Sequence, residues 1–110
     1  MVVASPTATF GLPEALRGLY AAAGGLPRVV RNLSMQMATE IAITGRTLSA
    51  EEAKSLQLVN VISSSQADVV SEAIKLAQKV TTLSPDAVIV SRAGLREAWE
   101  SKLFLSPSGK

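Results

Sequence analysis

Apolar residues recur at helical spacing along most of this chain, and the residues between the stripes are those that start and stop helices. Leu26, Val29, Val30 and Leu33 form one stripe behind Gly24 and Gly25, with Pro27 tolerated in the first turn. Ser34 is placed to cap a second helix through Met35, Met37, Ala38, Ile41 and Ala42, which Gly45 ends. Two methionines two apart cannot share a face, so they read as core filler rather than a ligand box. Ser49, Glu51 and Glu52 stand in the pattern of a capping box, in which Ser49 and Glu52 satisfy each other's backbone amides, and the short helix that follows should end near Leu56. From Gln66 onward Val69 or Val70, Ala73, Ile74, Ala77 and Val80 face one way and Asp68, Glu72, Lys75 and Lys79 the other. Ser84 and Pro85 then start a last helix through Trp99, ending before Pro107. Gly94 in its middle costs about 1 kcal/mol relative to alanine and reads as a mark of close packing.

Two stretches break this rhythm. Residues 1–4 are apolar with two valines and read as the end of a strand, broken by Pro6, which cannot donate to a ladder. Residues 58–62 read as a second short strand, followed by a polar linker at 63–65. The pattern therefore predicts a mostly α chain with two short β segments. A chain that opens inside a strand is unusual.

Composition narrows the chemistry. Among 110 residues 47% are hydrophobic but only 4% aromatic, so one core of Ala, Val, Leu and Ile is expected. The net charge of +2 and the lack of any Lys or Arg run argue against a nucleic-acid partner. With no histidine and no cysteine, imidazole bases, thiolates, disulfides and nearly every zinc site drop out, and acid–base work falls to carboxylates. Apolar runs such as 19–23 and 87–90 fall far short of the roughly 20 residues a membrane span requires. The first six residues lack the charged start and long apolar core of a secretory signal.

One stretch is built for chemistry. Gly11, Pro13 and Glu14 make a sharp turn that presents a carboxylate, and residues 21–25, three alanines and two glycines, leave room for backbone or ligand to approach. Glu14 admits two readings. One is a helix-start acid, favoured by the helix dipole and by Arg17 three residues on; the other is a reactive carboxyl. A carboxyl that serves as an acid near neutral pH needs burial to disfavour its charged form, whereas a helix start and an arginine nearby both favour that form.

Resemblance favours the second reading. Phe10, Gly11, Pro13, Glu14, Gly18, Ala23, Gly24, Gly25 and Arg28 stand as in the F-G-x-P-E and A-G-G-x-x-R blocks of the crotonase superfamily, the enoyl-CoA hydratases and isomerases. Residues 38–46, 48–53 and 58–62 resemble three further family blocks in the same order, from a helix ending in Thr-Gly to a Leu-Val-Asn strand. Gln57 stands where members commonly have glycine, so a preserved turn requires φ > 0 there, at about 1 kcal/mol or more. Ala21 and Ala22 likewise replace the family's frequent Pro-Gly.

The resemblance implies a partial crotonase-like (α/β spiral) domain over residues 1–100, with the family's N-terminal β-rich half and C-terminal trimerisation helices missing. Residues 101–110 resemble nothing in the family and are expected to fray. By resemblance the substrate is an acyl-CoA thioester and the activity hydration of a 2-enoyl-CoA, with coenzyme A part of the substrate and no separate cofactor or metal. Glu14 takes the place of the family's second catalytic glutamate, which delivers a proton to the α-carbon. Gly11, Pro13, Ala22, Ala23 and Gly24 take substrate-binding places. The first glutamate and the two oxyanion-hole amides map to no position here, so the chain alone is expected to be inactive. The alternative is a non-catalytic module that self-associates or docks on a full-length homologue, through apolar residues such as Val2, Leu19, Val29 and Ile41 left uncovered. The other carboxylates, Glu40, Glu51, Glu52, Glu72, Glu97 and Glu100, read as solvated helix surface. Compartment is not legible; a soluble intracellular site, mitochondrial or peroxisomal in a eukaryote and cytoplasmic in a bacterium, is what the family would imply.

Overall fold

Serine caps and helix stops decide most of the architecture. The computed structural model describes residues 1–19 and 23–104. Helix α1 spans Gly25–Asn32 and α2 spans Met35–Thr44. Ser34 caps α2 as expected: the Met37 N–H donates to its Oγ at 3.1 Å. Gly45 ends α2 at φ +69°, a left-handed conformation that glycine adopts without a Cβ penalty. Helix α3, Ala50–Ser55, begins with the expected capping box. The Glu52 N–H donates to Ser49 Oγ at 3.1 Å and the Ser49 N–H to Glu52 Oε1 at 3.2 Å. Gln57 does take φ +66° in the turn after α3.

Four two-residue strands pair in two ladders among the described residues. β1 (Val3–Ala4) runs parallel to β4 (Val61–Ile62), and β2 (Thr9–Phe10) runs antiparallel to β3 (Leu48–Ser49). The two expected β segments are thus β1 and β4, joined directly. Asn60 extends their ladder: its Oδ1 accepts from the Val2 N–H at 2.7 Å while its own N–H donates to Val2 O at 2.9 Å. Residues 58–60 do not join as strand because the Leu58 N–H turns back to Ala53 O at 2.8 Å, closing α3. The pair β2–β3 adds two bridges that no periodicity of two residues can announce.

The chain divides into two compact units, residues 1–73 and 74–110. In the first, Ala4, Ala53 and Val59 are buried together, with Ala8, Phe10, Leu58 and Ile62 packed around them. Ala38, Ile41 and Leu48 are buried as well, and Leu48 is the bulkiest side chain fully out of water. Small residues let helix and strand backbones come close, as the low aromatic content requires. Helix α4 (Val69–Thr81) crosses the boundary between the units, and α5 (Pro85–Phe104) lies in the second. Ser84 starts α5, its Oγ accepting from the Ala87 N–H at 3.4 Å. Helix α5 continues to Phe104, and the remainder of the expected tail, 105–110, lies outside the described residues. No helix among the described residues is long and apolar enough to cross a membrane.

Several expectations need correction. Met35 is 64% exposed, so it does not fill the core. Ile41 is 3% exposed rather than uncovered, because it is shielded on the inner face of α2, and Val29 is half-buried. Val2 and Leu19 are exposed as expected. Nothing lies within 4 Å of a Cβ built on Gly94, so that glycine does not mark close packing. Gly94→Ala should accordingly raise stability by about 1 kcal/mol, and Gln57→Gly by a similar amount through relief of the left-handed backbone. Leu48→Ala should lower it by about 2–5 kcal/mol through cavity formation. Urea denaturation of the three variants checks all three signs.

Candidate active site

The Glu14 carboxylate stands on a turn seated against one short stretch of backbone. β2 leads into Gly11, where a Cβ would lie 3.3 Å from Arg46 O and 3.3 Å from Thr47 Cγ2, closer than a side chain is ordinarily accommodated. A Cβ there would oblige Arg46 O or the Thr47 side chain to give by a few tenths of an ångström. Pro13 then opens a 3₁₀ turn, Pro13–Arg17, which closes when the Leu19 N–H donates to Glu14 O at 2.9 Å. On the far side of Glu14 the Leu16 side chain lies over Gly45, 2.5 Å from where a Cβ would be. Gly11 and Leu16 thus bracket Glu14, and both rest on residues 45–47.

Glu14 itself is half-buried. Its Oε1 is shielded from solvent and accepts no hydrogen bond from the described residues. A carboxylate oxygen held out of water without a donor costs stability, about 1–3 kcal/mol for an unsatisfied buried polar group and more when charged. Among the described residues no ion pair joins Arg17 to Glu14, so the pairing that a helix-start acid would use is not made.

The other candidate residues are placed less closely. Ala22 lies outside the described residues. Ala23 is exposed, and Gly24 precedes α1 at φ +89°, its carbonyl accepting from Arg28 Nη1 at 3.1 Å. Both the 3₁₀ turn and α1 pack on α2, but no hydrogen bond links Glu14 to Ala23 or Gly24. A hollow of about 400 Å³ is lined by residues 9–12 together with Val29, Leu33, Ile41, Leu48 and Leu58. Its wall is apolar, and it includes the backbone leading to Glu14 but not Glu14. No group of three or more acidic or other ligating side chains is placed to hold a metal ion among the described residues.

One cluster escaped the pattern. Arg46 Nε meets Glu40 Oε2 at 2.5 Å, while Nη1 reaches Glu52 Oε2 at 3.3 Å and donates to Thr47 O at 3.1 Å. The hydrogen bond to Glu40, with the charges of Glu40 and Glu52, holds the guanidinium still further toward its charged form, against an opposing effect of burial. Glu40 and Glu52 are therefore partners of Arg46 rather than merely solvated, and Glu72 accepts from the Ser64 N–H at 2.9 Å. The only signal for the cluster was a six-residue spacing on either side of Arg46, which corresponds to no helical neighbour rule.

Comparison with known proteins decides the family. The enoyl-CoA hydratase/isomerase family matches residues 1–105. The chain belongs to that family. The mevalonyl-coenzyme A hydratase of Beauveria bassiana is 47% identical over 100 residues, covering 91% of this chain and 36% of that protein. The corresponding Aspergillus fumigatus protein is 46% identical, over 91% of this chain and 37% of its own length. Among solved structures, an enoyl-CoA hydratase from Mycobacterium tuberculosis superposes with a TM-score of 0.82 at 39% identity, over 98% of this chain and 41% of that one. The chain thus spans little more than a third of the two fungal relatives. As an enoyl-CoA hydratase/isomerase family chain it superposes on the solved hydratase over nearly all of its residues.

The two readings of Glu14 differ in the sign of a stability change. Glu14→Met removes an acceptor held out of water, so the unfolding free energy from urea denaturation should hold or rise by about 1 kcal/mol. A helix-start acid would instead lose roughly 0.3–1 kcal/mol.

Proposed function

We propose that this chain supplies the proton-delivering carboxyl of an acyl-CoA hydratase site, with Glu14 as the acid. The observation that carries the reading is the shielded Oε1 of Glu14, which no group among the described residues hydrogen-bonds. In hydration of a 2-enoyl thioester, hydroxyl adds to C3, negative charge gathers on the thioester oxygen, and Glu14 gives its proton to C2; in the reverse direction it takes that proton back. Gly11 and Pro13 set the turn that aims the carboxyl, and Ala22, Ala23 and Gly24 would form a small-residue wall beside the acyl group. The first glutamate and the oxyanion amides lie among the roughly three-fifths of the family fold that residues 1–110 do not match, so these residues alone should not turn substrate over. The substrate class proposed is that of the two fungal relatives named as mevalonyl-coenzyme A hydratases, on the strength of 47% and 46% identity.

Exposed apolar side chains favour a second reading, a module that docks on a full-length homologue: Leu19 is 63% exposed and Ile43 70%. A chimera separates the two. Residues 1–100 replace the matching segment of the Beauveria bassiana hydratase, and mevalonyl-CoA dehydration is followed with and without Glu14→Gln. An active chimera whose kcat falls about 10²–10⁴-fold in the variant supports the proposal. A folded, active chimera indifferent to Glu14→Gln overturns it and leaves the docking module.

A further inference from the structure

We propose that Arg46 is a positioning residue for Glu14, acting through the stretch of chain on which the Glu14 turn rests. The inference builds on the reading of Glu14 as the acid but stands on its own geometry. Residues 45–49 touch that turn on both flanks: Gly11 abuts the Arg46 carbonyl and Thr47, Leu16 covers Gly45, and β3 pairs with β2 immediately before Gly11. One guanidinium bridges the two ends of those five residues. Arg46 holds Glu40, in α2 before the stretch, and Glu52, in α3 after it, and donates to the carbonyl of Thr47 within it.

The backbone adds to the same clamp. The Arg46 N–H donates to Thr44 Oγ1 at 3.2 Å, and Glu52 is at once the partner of Arg46 and the capping-box acceptor for the Ser49 N–H. One carboxylate therefore sets both the start of α3 and the side chain that spans the stretch. Such partly exposed pairs add little to global stability. Their effect is geometric: a planar fork meeting acceptors from α2, α3 and the stretch between them allows few arrangements of the backbone that joins them. Lysine, with one ammonium, reaches one carboxylate but does not fork.

The test uses the full 110-residue chain, ¹³C- and ¹⁵N-labelled, in four forms: native, Arg46→Ala, Arg46→Lys and Glu51→Gln. Glu51 is an exposed acid of the same helix outside the clamp, so its variant controls for a change of charge alone. Arg46→Ala should leave the urea midpoint nearly unchanged, displace the Glu14 carboxyl ¹³C resonance, and speed exchange of the Leu19 amide about tenfold, since that amide closes the Glu14 turn. Arg46→Lys should restore part of both, and Glu51→Gln should change neither. An unmoved Glu14 resonance with unchanged Leu19 exchange in Arg46→Ala overturns the proposal, as does an equal displacement in Glu51→Gln. Should Arg46→Ala fail to fold, the same readouts in Glu52→Gln decide, with an unmoved Glu14 counting against the clamp. Failure of the Glu14→Gln chimera assay would remove the acid's role and leave these resonances as they are, so the two claims fail separately.

Discussion

The close approach of two backbones at Gly11 is the constraint from which the site follows. With no Cβ at that position, the strand β2 lies directly on the carbonyl of Arg46, and the chain enters Pro13 at a fixed height above α2. A methyl group there would crowd both the Arg46 carbonyl and the Thr47 side-chain methyl, each 3.3 Å away. Proline then sets the backbone angle of the next turn, Leu16 rests on Gly45, and the carboxylate between them has little freedom to drift. Two glycines 34 positions apart in the chain thus serve one end, the first by admitting a backbone and the second by admitting a side chain.

Glu14 shows what that rigidity is set against. A surface acid would turn toward water or toward Arg17, which is three residues away on the same turn. Instead one of its oxygens is sheltered and has no hydrogen-bond partner among the described residues, an arrangement that lowers stability. Membership of the enoyl-CoA hydratase/isomerase family gives that arrangement a chemical context. The hollow nearby is apolar, and its wall includes residues 9–12 but not Glu14.

Much of the helical framework was legible because its signals are local. Ser34, Ser49 and Ser84 each accept the amide that a capping serine should, and Gly45 and Gln57 take the left-handed angles that the turns demand. The motif residues Gly11, Pro13 and Glu14 fall on one turn because they are neighbours in sequence. What escaped notice depends on partners distant along the chain. Thr9–Phe10 and Leu48–Ser49 are too short to display an alternating pattern, and Arg46 meets Glu40 and Glu52 across two helix ends, where no periodic rule connects them. Burial was misjudged for the same reason: the depth of Ile41 and the exposure of Met35 depend on what packs over α2, not on the stripe to which each belongs.

The most direct measurement is a crystal structure of the chimeric hydratase carrying these residues, with an unreactive acyl-CoA analogue bound. The account predicts Glu14 Oε1 within about 3.5 Å of the acyl C2, on the turn between Gly11 and Leu16. A Glu14 turned to Arg17 or into bulk water, with the acyl group seated elsewhere, would contradict it.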